Sequence, residues 1–363
     1  MNHQYYDRIN TLRTFAVLSV LFSHFFNPNI TKHLFLGNAG VNLFFVISGF
    51  LISKNLIQLK ESNESLGKKL KLFYFRRSLR IFPIYYLYLV ILYFFFHHST
   101  SGQLSWASLY LFNFFELKYE ASKLLIHVWS LSLEEQFYLI WPLLILLIPN
   151  RKITTVIYSI IFISIAFKLI FPEINHKLFT FSSFDSFAIG SLFAHLLLKD
   201  RLLLIKCLDN KILLYIAWII YGVIIYLSFY EPNLYIENLF RTSTSIISFY
   251  FIGLAVFPEK YPKGKFIKIL DNKTLIFVGK ISYGIYMYHM IVSVILDPYL
   301  NKMCESLFLS QNNWIKYFYF NSYILKFAIY TTISIFIAYV SFEFIEKPIL
   351  KLKDRIIFRD SIN

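Results

Sequence analysis

The sequence predicts an all-α integral membrane protein: a bundle of about ten transmembrane helices with both termini cytoplasmic. Three observations carry that expectation. Hydrophobic residues make up 57% of the 363 and charged ones only 16%, with a mean hydropathy of +0.56, a balance foreign to soluble domains. Apolar runs recur along the whole chain, near residues 10–26, 39–57, 79–97, 133–149, 153–171, 182–198, 211–229, 239–257, 276–296 and 324–346. With the N-terminus inside, about 25 of the 36 lysines and arginines fall in inner loops, as the positive-inside rule requires. The net charge of +15 then reflects topology. It is no nucleic-acid footprint, because no domain gathers the basic residues on one face.

Residues 1–352 are expected to form the membrane domain and 353–363 a short cytoplasmic tail. The N-terminus lacks the basic n-region and the cleavage site of a signal peptide. Cys207 and Cys304 provide neither a disulfide framework nor a metal spacing, and no metal is expected.

In the first span, Arg13 and His24 are eleven residues apart. That is almost three helical turns, so they share a face and lie about 16 Å apart along the axis. Ionisable groups facing lipid are costly, so both should face protein or a wet cavity. The plain alternative is an arginine snorkelling to the headgroups and a histidine marking a helix end. In the second span, Ser48-Gly49 should let another helix approach closely. A nucleophilic Ser48 would need a base beside it, and none is evident.

The third span is entered through Arg76-Arg77-Ser78-Leu79-Arg80-Ile81-Phe82-Pro83, followed by Tyr85. Arg77 and Arg80 lie one turn apart on a face at the inner surface. Guanidinium forks suit phosphates, although ordinary positive-inside residues would look the same. Trp129-Ser130-Leu131-Ser132-Leu133-Glu134-Glu135-Gln136 leads into the fourth span from outside, at the level where His24 leaves the first. A carboxylate there could orient the imidazole for general-base work, or simply favour the positive end of a helix dipole.

Asp185 begins the sixth span, with an N-cap as its default role. Arg241 begins the eighth, either in a polar outer cavity or snorkelling at the interface. In the ninth, Ser282, Tyr286 and His289 are spaced four and three apart and so share a face. Glu346-Lys347-Pro348 closes the last span, where the proline should stop the helix.

Taken in series, these motifs resemble the acyltransferase 3 family. They are Arg13-x10-His24, Phe44-Phe45-Val46-Ile47-Ser48-Gly49-Phe50, Arg77-x-x-Arg80, Trp129-Ser130-Leu131-x-x-Glu134, Asp185-x-Phe187-Ala188-x-Gly190, Tyr286-x-x-His289 and Ile345-Glu346. The resemblance covers nearly the whole chain, in order. It implies a ten-helix domain of a bacterial cytoplasmic membrane that takes an acyl group from acyl-CoA and passes it to an acceptor outside. By position, His24 resembles the family's essential histidine and Arg13 its arginine partner. Arg77 and Arg80 resemble the pair that meets the donor, with Tyr85 beside them. Glu134 stands at the acidic position and Glu135 where the family varies. Asp185, Arg241, Ser282, Tyr286 and His289 would bind substrate or support the site.

One departure is Tyr286-Met287-Tyr288-His289, where Tyr-Leu-Trp-His is common. Many relatives also append an extracytoplasmic hydrolase-like domain. Without one, the chain would finish the transfer itself or pass the acyl group to a separate extracytoplasmic partner. The expected donor is acetyl-CoA. The expected acceptor is an envelope polysaccharide or lipid-linked glycan, such as O-antigen or capsule, reached from the surrounding membrane lipid. In that scheme His24, oriented by Glu134, deprotonates the acceptor hydroxyl. A glycolipid carrier or a membrane glycan polymerase would share the polar path and the aromatic helices, but neither has a use for a cytoplasmic CoA clamp.

Overall fold

Helices make up all the regular structure among the described residues, which in this computed structural model are 3–230, 234–260, 264–308 and 315–351. The expected tail at 353–363 lies outside them. The longer helices are α1 (His3–Phe25), α2 (Leu36–Lys60), α3 (Leu66–Phe95), α4 (Val128–Leu147), α5 (Asn150–Ile170) and α6 (Thr180–Lys199). They continue with α7 (Arg201–Asp209), α8 (Ile212–Ser228), α9 (Leu234–Val256), α10 (Lys273–Lys280), α11 (Ser282–Phe308) and α12 (Ile315–Ser341).

Among the described residues, seven helices are long and apolar enough to cross a membrane, or up to nine if two bent pairs each make one span. The pairs are α7 with α8, bent by 51°, and α10 with the first part of α11, bent by 71°. Each of the ten expected runs has a helical counterpart. The one that misses the measure is α1, whose Arg8, Arg13, Thr11 and Thr14 lower its hydropathy. Three of these groups find partners inside the bundle. Arg8 pairs with Asp271 at 2.5 Å, Thr11 donates to the Leu270 carbonyl at 2.7 Å and Thr14 to that of Leu275 at 2.5 Å.

The centre is built by small residues. A Cβ at Gly49 would come within 2.0 Å of the Phe187 carbonyl oxygen, and one at Gly190 within 2.0 Å of that of Val46. Each glycine thus accepts the other helix's backbone, and α2 and α6 cross at close range, as small-residue packing allows. Ser53 and Ser191 hydrogen-bond across the same seam at 2.6 Å. Burial grades outward from this pair: 78% of the most apolar stretch of α6 is buried, against 22% for α5. The exposed face of α5 carries Phe162, Ile163, Leu169 and Ile170, a surface suited to lipid.

Two expectations about boundaries are corrected. α3 starts at Leu66, capped by Ser65, well before residue 79. Arg77 and Arg80 therefore sit within a helix rather than at the end of a long loop. The last helix does not stop at Pro348 either. A π turn at Phe342–Glu346 follows α12, and helix continues through Pro348 to Lys351. The π turn has already shifted the hydrogen-bond register, so the proline's missing N–H falls where the α-helical ladder is interrupted.

Candidate active site

A cavity of about 750 Å3 opens among α1, α2, α3, α4 and α11. Arg13, Arg77, Arg80, Glu134, Ser282 and Tyr286 all line it. Thr11 and Thr14 tie α1 to the 270–275 segment, which turns Arg13 towards the cavity. Arg77 and Arg80, one turn apart on α3, enter from another side. The Arg77 guanidinium lies 4.8 Å from the centre of the Tyr138 ring. Glu134 accepts hydrogen bonds from both Ser48 and Tyr138.

None of the three guanidinium groups makes a hydrogen bond among the described residues. Arg80 keeps an exposed surface although helices surround it, so that surface faces the cavity. Glu346, brought inward by the π turn, is within electrostatic reach of Arg80 and Arg13. Glu135 is likewise within reach of Arg77, but of these carboxylates only Glu134 lines the cavity with the three arginines, which leaves the lining positive and open to an anion.

A polar line leaves this cavity along three helices. On α11 the expected face exists: Ser282 and Tyr286 line the cavity, and His289 lies beyond them. On α4 and its N-cap, Glu134, Ser130 and His127 recur at helical spacing. On α1, the line ends at His24. The Tyr286 hydroxyl meets Ser130 Oγ at 2.6 Å and donates to the His127 carbonyl at 3.0 Å. Its ring packs against both His127 and His289. The rings of His24 and His289 lie 5.2 Å apart, and those of His127 and His289 4.9 Å apart.

His289 is fully buried, and its Nδ1 sits 2.6 Å from the Tyr286 carbonyl. A carbonyl can only accept, so Nδ1 carries the hydrogen and Nε2 of the neutral ring is an acceptor. That Nε2 has no partner, nor has either ring nitrogen of buried His127. His24, by contrast, is exposed. Among the described residues no group of three or more His, Cys, Asp or Glu is placed to hold a metal.

The expected pairing of His24 with Glu134 is corrected. His127 occupies the level of His24, and Glu134 lies seven residues further along α4, about 10 Å deeper. It belongs with the arginines. Tyr85 is also displaced from its expected role. It is buried, donates to the Ala107 carbonyl at 2.7 Å and stacks on Tyr110 at 4.3 Å, away from the cavity lining.

Asp185 is no N-cap, because α6 begins five residues earlier. It forms a buried ion pair with Lys168 at 2.6 Å and accepts from Thr242 at 2.8 Å. Arg241 does not snorkel. It is buried and donates to Asn42 Oδ1, Ser183 Oγ and the carbonyls of His176 and Lys177 at 2.9–3.2 Å. These two residues join α5, α6, α9 and α2 beside the site. Nearby, burial holds His176 below the usual imidazole range and pushes the Glu116 carboxyl up despite Lys177.

Sequence reading missed His127 and the partners of Glu134. The available signal was periodicity, since His127, Ser130, Glu134 and Tyr138 form one stripe on α4. Lys168 carried no such signal; it is a lone lysine in an apolar run.

A family model described as an acyltransferase domain matches residues 6–343. The chain belongs to the acyltransferase 3 family. It is similar to the peptidoglycan O-acetyltransferase OatA of Listeria monocytogenes, 28% identical over 382 residues that cover 96% of this chain and 56% of that protein. It is also similar to the O-acetyltransferase OatA of Staphylococcus aureus, 27% identical, with 82% of this chain and 52% of the relative covered. The chain thus spans little more than half the length of these relatives. No solved structure matches it. Family and helices together make it a multi-pass membrane protein with an acyltransferase domain.

Proposed function

We propose that this chain is a membrane O-acyltransferase, moving an acetyl group from cytoplasmic acetyl-CoA to a hydroxyl of a cell-envelope polysaccharide or glycolipid outside. In this reading the membrane is the bacterial cytoplasmic membrane. α1 is the tenth span, both termini are cytoplasmic, and the arginine cavity opens inward. The observation that carries the proposal is the succession of polar side chains from Arg13, Arg77 and Arg80 through Ser282 and Tyr286, which line one cavity, to His289 and His24.

The arginine cavity offers three charged forks to the donor's phosphates. Ser282, buried and with an unpartnered hydroxyl, is a donor for the acyl carbonyl oxygen as it gains charge. His24 takes the proton of the acceptor hydroxyl. The oxygen forms the new ester bond to the acyl carbon, the carbon–sulfur bond breaks, and the thiolate leaves and takes up that proton. The His289 ring packs 5.2 Å from that of His24 and limits how it turns. The name of the Listeria relative makes peptidoglycan the first acceptor to try.

The test is transfer from radiolabelled acetyl-CoA in inverted membrane vesicles. Label should enter the glycan fraction with wild type and fall about 100-fold or more with His24→Ala. It should also fall with Arg77→Ala, both variants inserting normally. An active His24→Ala protein would overturn the proposal. Glycolipid movement without label transfer would point to a carrier.

A further inference from the structure

A second cavity, of about 420 Å3, lies at the His24 end of the bundle. Its lining includes Asn38, Trp129, Asn175, Lys177, Asn238 and Arg241. Two contacts locate it beside His24. A Cβ at Gly37 would come within 2.7 Å of Ser23 Cβ, so Asn38 adjoins the turn that carries His24. Lys177 is within electrostatic reach of the His24 ring.

The lining chemistry suits an anion. Arg241 is only 5% exposed. Its Nε and Nη1 are committed to protein acceptors, but its Nη2 has no partner. A buried guanidinium N–H left unmatched is costly unless something else accepts it. Lys177 Nζ and the Arg241 guanidinium lie 4.9 and 5.9 Å from the centre of the Trp129 ring, so two cations gather around one indole. Glu116 lies 3.9 Å from Lys177 Nζ, and Asp185, bound to Lys168 and Thr242 through one oxygen, is within electrostatic reach of Arg241. The amides of Asn38 and Asn175 make no side-chain hydrogen bond among the described residues.

We propose that this cavity binds an anionic group of the acceptor, the carboxylate of an acidic sugar or the phosphate of its lipid carrier, and thereby sets which hydroxyl reaches His24. The word acceptor rests on the acyltransferase reading; the anion site does not.

The experiment measures binding calorimetrically on the full chain in nanodiscs, with glucuronate, glucose and inorganic pyrophosphate as probes. At least one anion should bind about tenfold or more tightly than glucose, the worth of a charge-assisted hydrogen bond. Glucuronate as the tighter anion identifies the acidic sugar, and pyrophosphate as the tighter one identifies the carrier. Lys177→Gln and Asn175→Ala should each weaken the favoured anion about threefold or more, while Arg77→Gln leaves a binding event that they remove. Arg241→Lys is a poorer probe, because Arg241 also joins helices. Anions binding no better than glucose would overturn the site, as would binding lost with Arg77→Gln but kept in Lys177→Gln. Turnover is not needed for this readout. Failed acetyl transfer with intact anion binding would remove the function and leave the site, and the reverse result would remove the site alone.

Discussion

Arg80 and Arg241 are both arginines inside apolar helices, yet the fold treats them in opposite ways. Arg241 spends two of its three nitrogens on Asn42, Ser183 and two carbonyls, and so joins α9 to α2 and α6. Arg80 makes no hydrogen bond among the described residues and keeps its surface open to a cavity of about 750 Å3. The first is a tie between helices; the second is a donor held ready. A charge that costs free energy to bury is tolerated either because protein groups match it or because a ligand will.

The largest expected effect separates the two directly. Arg241→Ala leaves several buried acceptors unmatched and should cost about 3–5 kcal/mol of stability, read as early thermal unfolding in detergent. Arg80→Ala should unfold within about 0.5 kcal/mol of wild type. Equal losses would break the contrast.

A smaller change sharpens it. Arg80→Lys keeps the charge but loses the fork, and KM for acetyl-CoA should rise about tenfold, or about 1.4 kcal/mol. An unchanged KM would take Arg80 off the donor. The smallest expected effect is at Glu134. Ser48→Ala removes one of its two donors, and Tyr138 retains the carboxylate, so unfolding should shift by only about 1 kcal/mol. A much larger loss would mean that Ser48 does more than hold Glu134.

Much of the architecture was legible in the chain. The alternation of apolar runs located counterparts for all ten expected helices, because burying backbone polar groups in lipid leaves helix as the answer. Four-and-three spacing put Ser282, Tyr286 and His289 on one face. The close approach at Ser48-Gly49 is realised against Phe187. Boundaries were less legible. The basic stretch before Arg80 reads as loop, but α3 already runs from Leu66, since charged residues at a membrane surface are good helix formers.

Partnership across helices was not legible at all. Adjacent levels assigned Glu134 to His24, yet the structure gives His24 the imidazole of His289 as neighbour and gives Glu134 the hydroxyls of Ser48 and Tyr138. Asp185 and Arg241 looked like a cap and a snorkelling residue, and became buried ties.

The sequence by itself determined the membrane class, the family and the helical stripes, because hydropathy and periodicity are properties of a segment and its solvent. Only the tertiary structure decided which stripes meet, which arginines are matched and which remain open. Those outcomes depend on the rotation and depth of one helix against another, set here by contacts such as Gly49 on Phe187 and Gly190 on Val46.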